Sequence, residues 1–127
     1  MKNNLIIKKC MSCGAIVKVL KDCTCNNCGI KCCGEEMQIL LPNSVDAAIE
    51  KHVPTYEKVE DEILVKVNHV MEKEHFIEWI VVETKKGSQK VKLEADMEPK
   101  AEFILTEDDE FVAAYAYCNL HGLWKSN

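Results

Sequence analysis

His52, His69, His75, His121 and Cys118 are the residues of this chain best suited to hold a redox-active metal. Neutral imidazoles and a thiolate suit iron, and five such ligands leave a sixth position for a reactant. A purely structural zinc site would more usually stop at four. Any one of these histidines alone reads as an ordinary surface or core residue, and their spacing alone names no reaction. Their neighbourhoods say more. His52 precedes Val53-Pro54, a dipeptide restricted to extended backbone. His69 and His75 flank the polar segment Val70-Met71-Glu72-Lys73-Glu74, which reads as a loop, and His121 lies three residues after Cys118.

A second set of ligands crowds the N-terminus. Seven of the eight cysteines fall between Cys10 and Cys33. Cys10-Met11-Ser12-Cys13-Gly14 and Cys25-Asn26-Asn27-Cys28-Gly29 are metal knuckles, each a pair of thiols followed by a glycine that lets the backbone turn around an ion. Cys32-Cys33-Gly34 is a further pair, and Cys23 a further candidate. Spacing alone makes Cys10, Cys13, Cys25 and Cys28 the default zinc-ribbon or rubredoxin-type set. Zinc and iron both accept four thiolates. The competing reading is a disulfide framework, which suits exported chains. Neither knuckle is followed by histidine, so the pattern for covalent haem is absent.

The elements that must position these groups divide near Leu41-Pro42-Asn43. Residues 1–41 contain seven cysteines and no histidine, and residues 42–127 contain all four histidines and one cysteine. The first unit is too small to be held by apolar burial alone, which independently argues for a metal. The second reads as β-rich, with strands expected at Tyr56–Val59, Ile63–Val67, Phe76–Glu83, Lys90–Glu94, Ala101–Leu105 and Phe111–Tyr117. Short strands separated by polar turns imply an antiparallel sandwich, whose loops carry the functional residues. A short helix is expected over Val45 to Lys51, capped by Asn43 or Ser44 and ended before Pro54.

Composition excludes several classes. A net charge of −5 over 127 residues argues against nucleic acid as a partner. No apolar run approaches the ~18 residues of a membrane span, and the run Leu5-Ile6-Ile7 is too brief for a signal-peptide core. A soluble cytoplasmic protein, with reduced thiols, is the expectation.

Three separated motifs then match a known family over nearly the whole length. They are Glu50-Lys51-His52-Val53-Pro54, His69-Val70-Met71-Glu72-Lys73-Glu74-His75 leading into Ile77-Glu78-Trp79, and Tyr117-Cys118-Asn119-Leu120-His121-Gly122 with Trp124-Lys125. With Cys10-Met11-Ser12-Cys13-Gly14 and Cys32-Cys33-Gly34-Glu35-Glu36-Met37, they make the chain resemble desulfoferrodoxin, the two-domain form of superoxide reductase. The resemblance implies a desulforedoxin- or rubredoxin-like metal domain followed by an immunoglobulin-like β-sandwich. It implies an iron with His52, His69, His75 and His121 in a plane and Cys118 on the axis. Glu50 matches a mobile carboxylate that fills the sixth position in the oxidised resting state, and Lys51 a solvent-facing lysine beside the open site. The implied activity is one-electron reduction of superoxide to hydrogen peroxide, with a rubredoxin-like electron donor and a homodimeric assembly.

For the N-terminal site the resemblance favours Cys10, Cys13, Cys32 and Cys33, holding iron or zinc. The chain departs from the family where Asp22-Cys23-Thr24-Cys25-Asn26-Asn27-Cys28-Gly29 replaces a shorter glycine-rich loop, which keeps Cys25 and Cys28 as an alternative second pair. The rival functional readings are a non-enzymatic electron carrier, a zinc-stabilised binding module, or a dismutase that needs no external reductant.

Overall fold

The computed structural model describes residues 5–26 and 29–126. Contacts divide the chain into two units, Met1–Leu41 and Pro42–Asn127. Among the described residues no helix is long and apolar enough to cross a membrane.

The first unit is a set of very short antiparallel strands. Strands β1 (Ile7–Lys9), β2 (Ile16–Lys18) and β5 (Gln38–Ile39) form one sheet in the order β2-β1-β5. Strands β3 (Lys31–Cys32) and β4 (Glu35–Glu36) form a hairpin whose two turn residues, Cys33 and Gly34, have φ of 55° and 76°. Positive φ at both central positions matches the right-handed strand twist, and it aims the adjacent cysteines of β3 and its turn around one point. Lys8 is buried and its ammonium meets Asp22 Oδ1 at 3.0 Å, which ties the cysteine-bearing loop to β1. The same oxygen accepts from the Cys23 N–H at 2.9 Å.

The second unit is a two-sheet antiparallel β structure. Its strands are β6 (Thr55–Val59), β7 (Glu62–Lys66), β8 (Ile77–Thr84), β9 (Ser88–Lys92), β10 (Lys100–Ile104), β11 (Phe111–Cys118) and β12 (Gly122–Lys125). One sheet runs β10-β7-β6 and the other β12-β11-β8-β9. Alternation explains the packing: Ile63 and Val65 on β7, with Ala101 and Phe103 on β10, turn one apolar face inward. They share a core with Ile80 and Val82 of β8 and Ala114 and Ala116 of β11. That core continues to Val67 and Cys118, so its end lies beside the segments that carry His69 and His121.

Most expected strands form with ends displaced by one or two residues, and β12 is an addition to them. The expected helix over Val45 to Lys51 does not form. A single 3₁₀ turn, Ile49–Lys51, stands in its place, with Ala48 at the N-cap and no side-chain cap bond. Asn43 is diverted from capping: its Oδ1 accepts from the Lys125 N–H at 2.9 Å and its Nδ2 donates to the Lys125 carbonyl at 3.3 Å. With its cap engaged on β12, the segment has too few favourable contacts to nucleate a longer helix.

Candidate metal centres

The histidines arrive from three different parts of the second unit. His52 follows the 3₁₀ turn, His69 and His75 lie in the connection from β7 to β8, and His121 closes the β11–β12 turn. Cys118 ends β11 at a register irregularity in its pairing with β8. Gly122, with φ of 81°, then lets the chain reverse directly into β12.

These segments set four imidazoles around a square. Neighbouring ring centroids lie 4.8 Å apart for His52–His69, 4.7 Å for His69–His75, 5.2 Å for His75–His121 and 4.9 Å for His121–His52. Each ring stands edge-on to the next, at interplanar angles between 69° and 86°. Ligand atoms of His52, His75, Cys118 and His121 all lie within 4.8 Å of one another. Cys118 Sγ is 3.8 Å from His121 Nδ1.

Local hydrogen bonds assign the nitrogens. His52 Nδ1 is 2.7 Å from the Ala48 carbonyl and His69 Nδ1 is 2.5 Å from the Val70 carbonyl. A carbonyl only accepts, so both Nδ1 atoms carry the proton and both Nε2 atoms present lone pairs. His52 Nε2 faces His121 Nδ1 at 3.1 Å. His69 Nε2 and His75 Nε2 are buried without a hydrogen-bond partner. Buried polar atoms are rarely left unpaired. Three Nε2 atoms, one Nδ1 and one thiol turned toward a shared space fit a metal ion as common partner. Burial also pushes the pKa of His52 and His69 below the ordinary 6.5, with repulsion from the neighbouring imidazoles adding to it, so both are neutral and ligand-competent at pH 7.

Trp124 braces this arrangement. It is 1 % exposed, its indole stacks on His52 with centroids 4.8 Å apart, and its Nε1–H donates to the His121 carbonyl at 3.0 Å. Sequence reasoning assigned it no role; its place three residues after a candidate ligand was the available signal. The two backbone carbonyls that fix the tautomers carry no sequence signal. Glu50 and Lys51 sit exposed on the 3₁₀ turn, directly before His52.

In the first unit the ligand atoms of Cys10, Cys13, Cys32 and Cys33 all lie within 4.8 Å of one another. Cys13 and Cys32 sulfurs are 3.6 Å apart, and those of Cys32 and Cys33 are 3.9 Å apart. The knuckle forms through Gly14 N–H donating to the Cys10 carbonyl at 2.9 Å, with Gly14 at φ of 83°. Backbone N–H groups of Cys13 and Ser12 draw the Cys10 thiol down to about 7. Cys32 is pushed up to about 12 through its contacts with Cys13, Cys10 and Cys33. Thiols this close cannot all ionise unless a cation neutralises them, so this cluster too fits a metal. Cys25 stands outside it, in a disulfide, and Cys23 is a free exposed thiol. Cys28 lies outside the described residues.

Comparison with known proteins places these sites in context. The family model described as Desulfoferrodoxin matches residues 44–127. A desulfoferrodoxin of Syntrophotalea carbinolica is 42 % identical over 130 residues, covering 99 % of this chain and 98 % of that protein. A desulfoferrodoxin homolog of Archaeoglobus fulgidus is 41 % identical over 123 residues, covering 94 % of each. The crystal structure of the superoxide reductase from Treponema pallidum superposes with a TM-score of 0.79 at 33 % identity, covering 98 % of this chain and 100 % of that one.

Two outcomes are expected. Cys32→Ser should strip the N-terminal unit of its metal while Cys25→Ser leaves the metal content at the wild-type level. Metal analysis of the purified variants checks this, and the reverse pattern would move the ligand pair to Cys25. In metal-free protein the depressed His52 and His69 pKa values mean that the unfolded chain takes up protons first as pH falls. The thermal midpoint should therefore drop as the pH falls below about 6.5, above the range in which the carboxylates of Asp22, Asp108 and Asp109, whose pKa values are lowered, titrate. A midpoint that stays flat across that window would contradict it.

Proposed function

This chain belongs to the desulfoferrodoxin family, and on that premise we propose that it is a superoxide reductase whose iron is held by His52, His69, His75, His121 and Cys118. The observation that carries the reading is the square of four imidazoles, with the buried Nε2 atoms of His69 and His75 left without a partner, beside a buried thiol. The reaction consumes one superoxide, one electron and two protons and yields one hydrogen peroxide. An iron held by these five side chains would supply that electron, and the Cys118 thiolate would donate electron density to it.

The chain's own residues do the rest. The carbonyls of Ala48 and Val70 keep His52 and His69 in the tautomer whose lone pairs face inward. Cys118 is fully buried, which shields the thiolate from bulk water. Lys51 places a positive charge at the edge of a chain whose net charge is −5. Superoxide responds to the field near the site more than to the distant total, so Lys51 Nζ draws the anion in. The same ammonium holds a water that delivers a proton. Glu50, its exposed neighbour on the turn, is the carboxylate that would be available to an oxidised iron.

A rubredoxin-like protein as electron donor, a homodimer and a cytoplasmic location belong to the same reading. So does a second iron, or a zinc, at Cys10, Cys13, Cys32 and Cys33.

Lys51→Ala should slow the reaction of reduced protein with superoxide by roughly 10-fold at low ionic strength and flatten its salt dependence. Pulse-radiolysis or stopped-flow rates across a salt series read both quantities. An unchanged rate and slope would remove Lys51 from anion capture.

A further inference from the structure

His75 differs from the two histidines whose orientation is already explained. His52 and His69 are each fixed by a ring N–H bonded to a backbone carbonyl. Among the described residues the His75 ring makes no such bond, and its Nε2 is buried without a partner. A ligand ring that is not held by its own nitrogens must be held by the backbone that carries it.

That backbone is gripped on both sides by one side chain. Asn119 Oδ1 accepts from the Phe76 N–H at 3.0 Å, and Asn119 Nδ2 donates to the Glu74 carbonyl at 3.0 Å. The two bonds land on the residues immediately before and after His75. The amide orientation follows from the partners, since an N–H requires the oxygen and a carbonyl requires the NH₂. The Asn119 N–H adds a third bond, to the Phe76 carbonyl at 3.2 Å. On the far side His75 closes its own turn, exchanging backbone bonds with Glu72 at 3.0 and 3.1 Å.

We propose that Asn119 is a positioning residue for the iron: its amide clamps the backbone on either side of His75 and locks that ligand to the hairpin carrying Cys118 and His121. This rests on the reading of those residues as iron ligands. Asn119 directly follows Cys118, so displacement of one ligand loop moves the other. Asparagine is the side chain that can both donate and accept across a single residue at this reach. Alanine removes both bonds, and aspartate keeps the acceptor but sets a negative oxygen against the Glu74 carbonyl.

A matched control lies elsewhere in the same unit. Asn43 forms a similar two-bond clamp on the Lys125 backbone, and Lys125 is not a proposed ligand. Asn43→Ala therefore loses the same kind of bonds without loosening His75. The test compares wild type, Asn119→Ala, Asn119→Asp and Asn43→Ala after anaerobic iron loading, by iron release to a chelator and by the electron paramagnetic resonance of the ferric state. Both Asn119 variants should release the second-unit iron roughly 10-fold faster, the scale of lost outer-shell contacts, and should show altered rhombicity. Asn43→Ala should retain the wild-type signature even if its thermal midpoint falls. Wild-type release and spectrum in Asn119→Asp or Asn119→Ala, or equal changes in Asn43→Ala, would overturn the positioning role alone. Failure of wild type to take iron into its second unit would overturn the ligand reading and, with it, this role.

Discussion

Polar atoms withheld from water without partners are the constraint around which the second unit is organised. His69 Nε2 and His75 Nε2 have nothing to bond to, and His52 and Cys118 are buried beside them. Leaving such an atom unpaired costs about 1–3 kcal/mol, and protonating the imidazoles instead would gather like charges in one pocket. A cation shared by all five groups satisfies the lone pairs together. The first unit meets a related constraint with sulfur, where backbone N–H groups draw Cys10 down and contacts with Cys13, Cys10 and Cys33 drive Cys32 up. Its strands of two and three residues offer little apolar burial in exchange, so a metal bound there would be coupled to folding.

The sandwich exists to make this expensive arrangement rigid. β8 and β11 are paired antiparallel along most of their length, ending with Cys118 opposite Ile77. That register brings the residue just before β8, on the His75 side, against the turn that follows Cys118. Buried Ile63, Val65, Ile80, Val82 and Phe103 fix the two sheets against each other, and ligands from distant parts of the sequence can then converge with small error. Trp124 and the carbonyls of Ala48, Val70 and Glu74 form an outer ring of contacts around the histidine-bearing segments. Glu50 and Lys51 remain outside it, exposed to solvent.

Much of this was legible in the sequence. Alternation on β7 and β10 and the β-branched run of β8 announced the strands, and the division near Pro42 was visible in the cysteine and histidine distribution. β12 escaped because Leu123-Trp124-Lys125 is too short to show a period. The expected helix before His52 is a single 3₁₀ turn, and Asn43, a good cap by type, bonds instead to Lys125 across the fold. Backbone carbonyls that set tautomers have no residue type to reveal them, and the clamp of Asn119 on His75 spans a separation no local pattern encodes. In the N-terminal unit, spacing alone favoured the Cys25 knuckle over the Cys32-Cys33 pair. The positive φ of Cys33 and Gly34 brings that pair together with Cys10 and Cys13, whereas Cys25 is engaged in a disulfide.

A superoxide reductase built this way requires that the four histidines and Cys118 hold one iron that reacts with superoxide. Metal analysis with the visible spectrum, before and after superoxide is added to the reduced protein, tests it most directly. Iron in the second unit is expected, with a broad thiolate-to-iron band that appears on oxidation and is absent in Cys118→Ser. A second unit that stays free of iron after anaerobic reconstitution, or an iron whose spectrum superoxide does not alter, would contradict it.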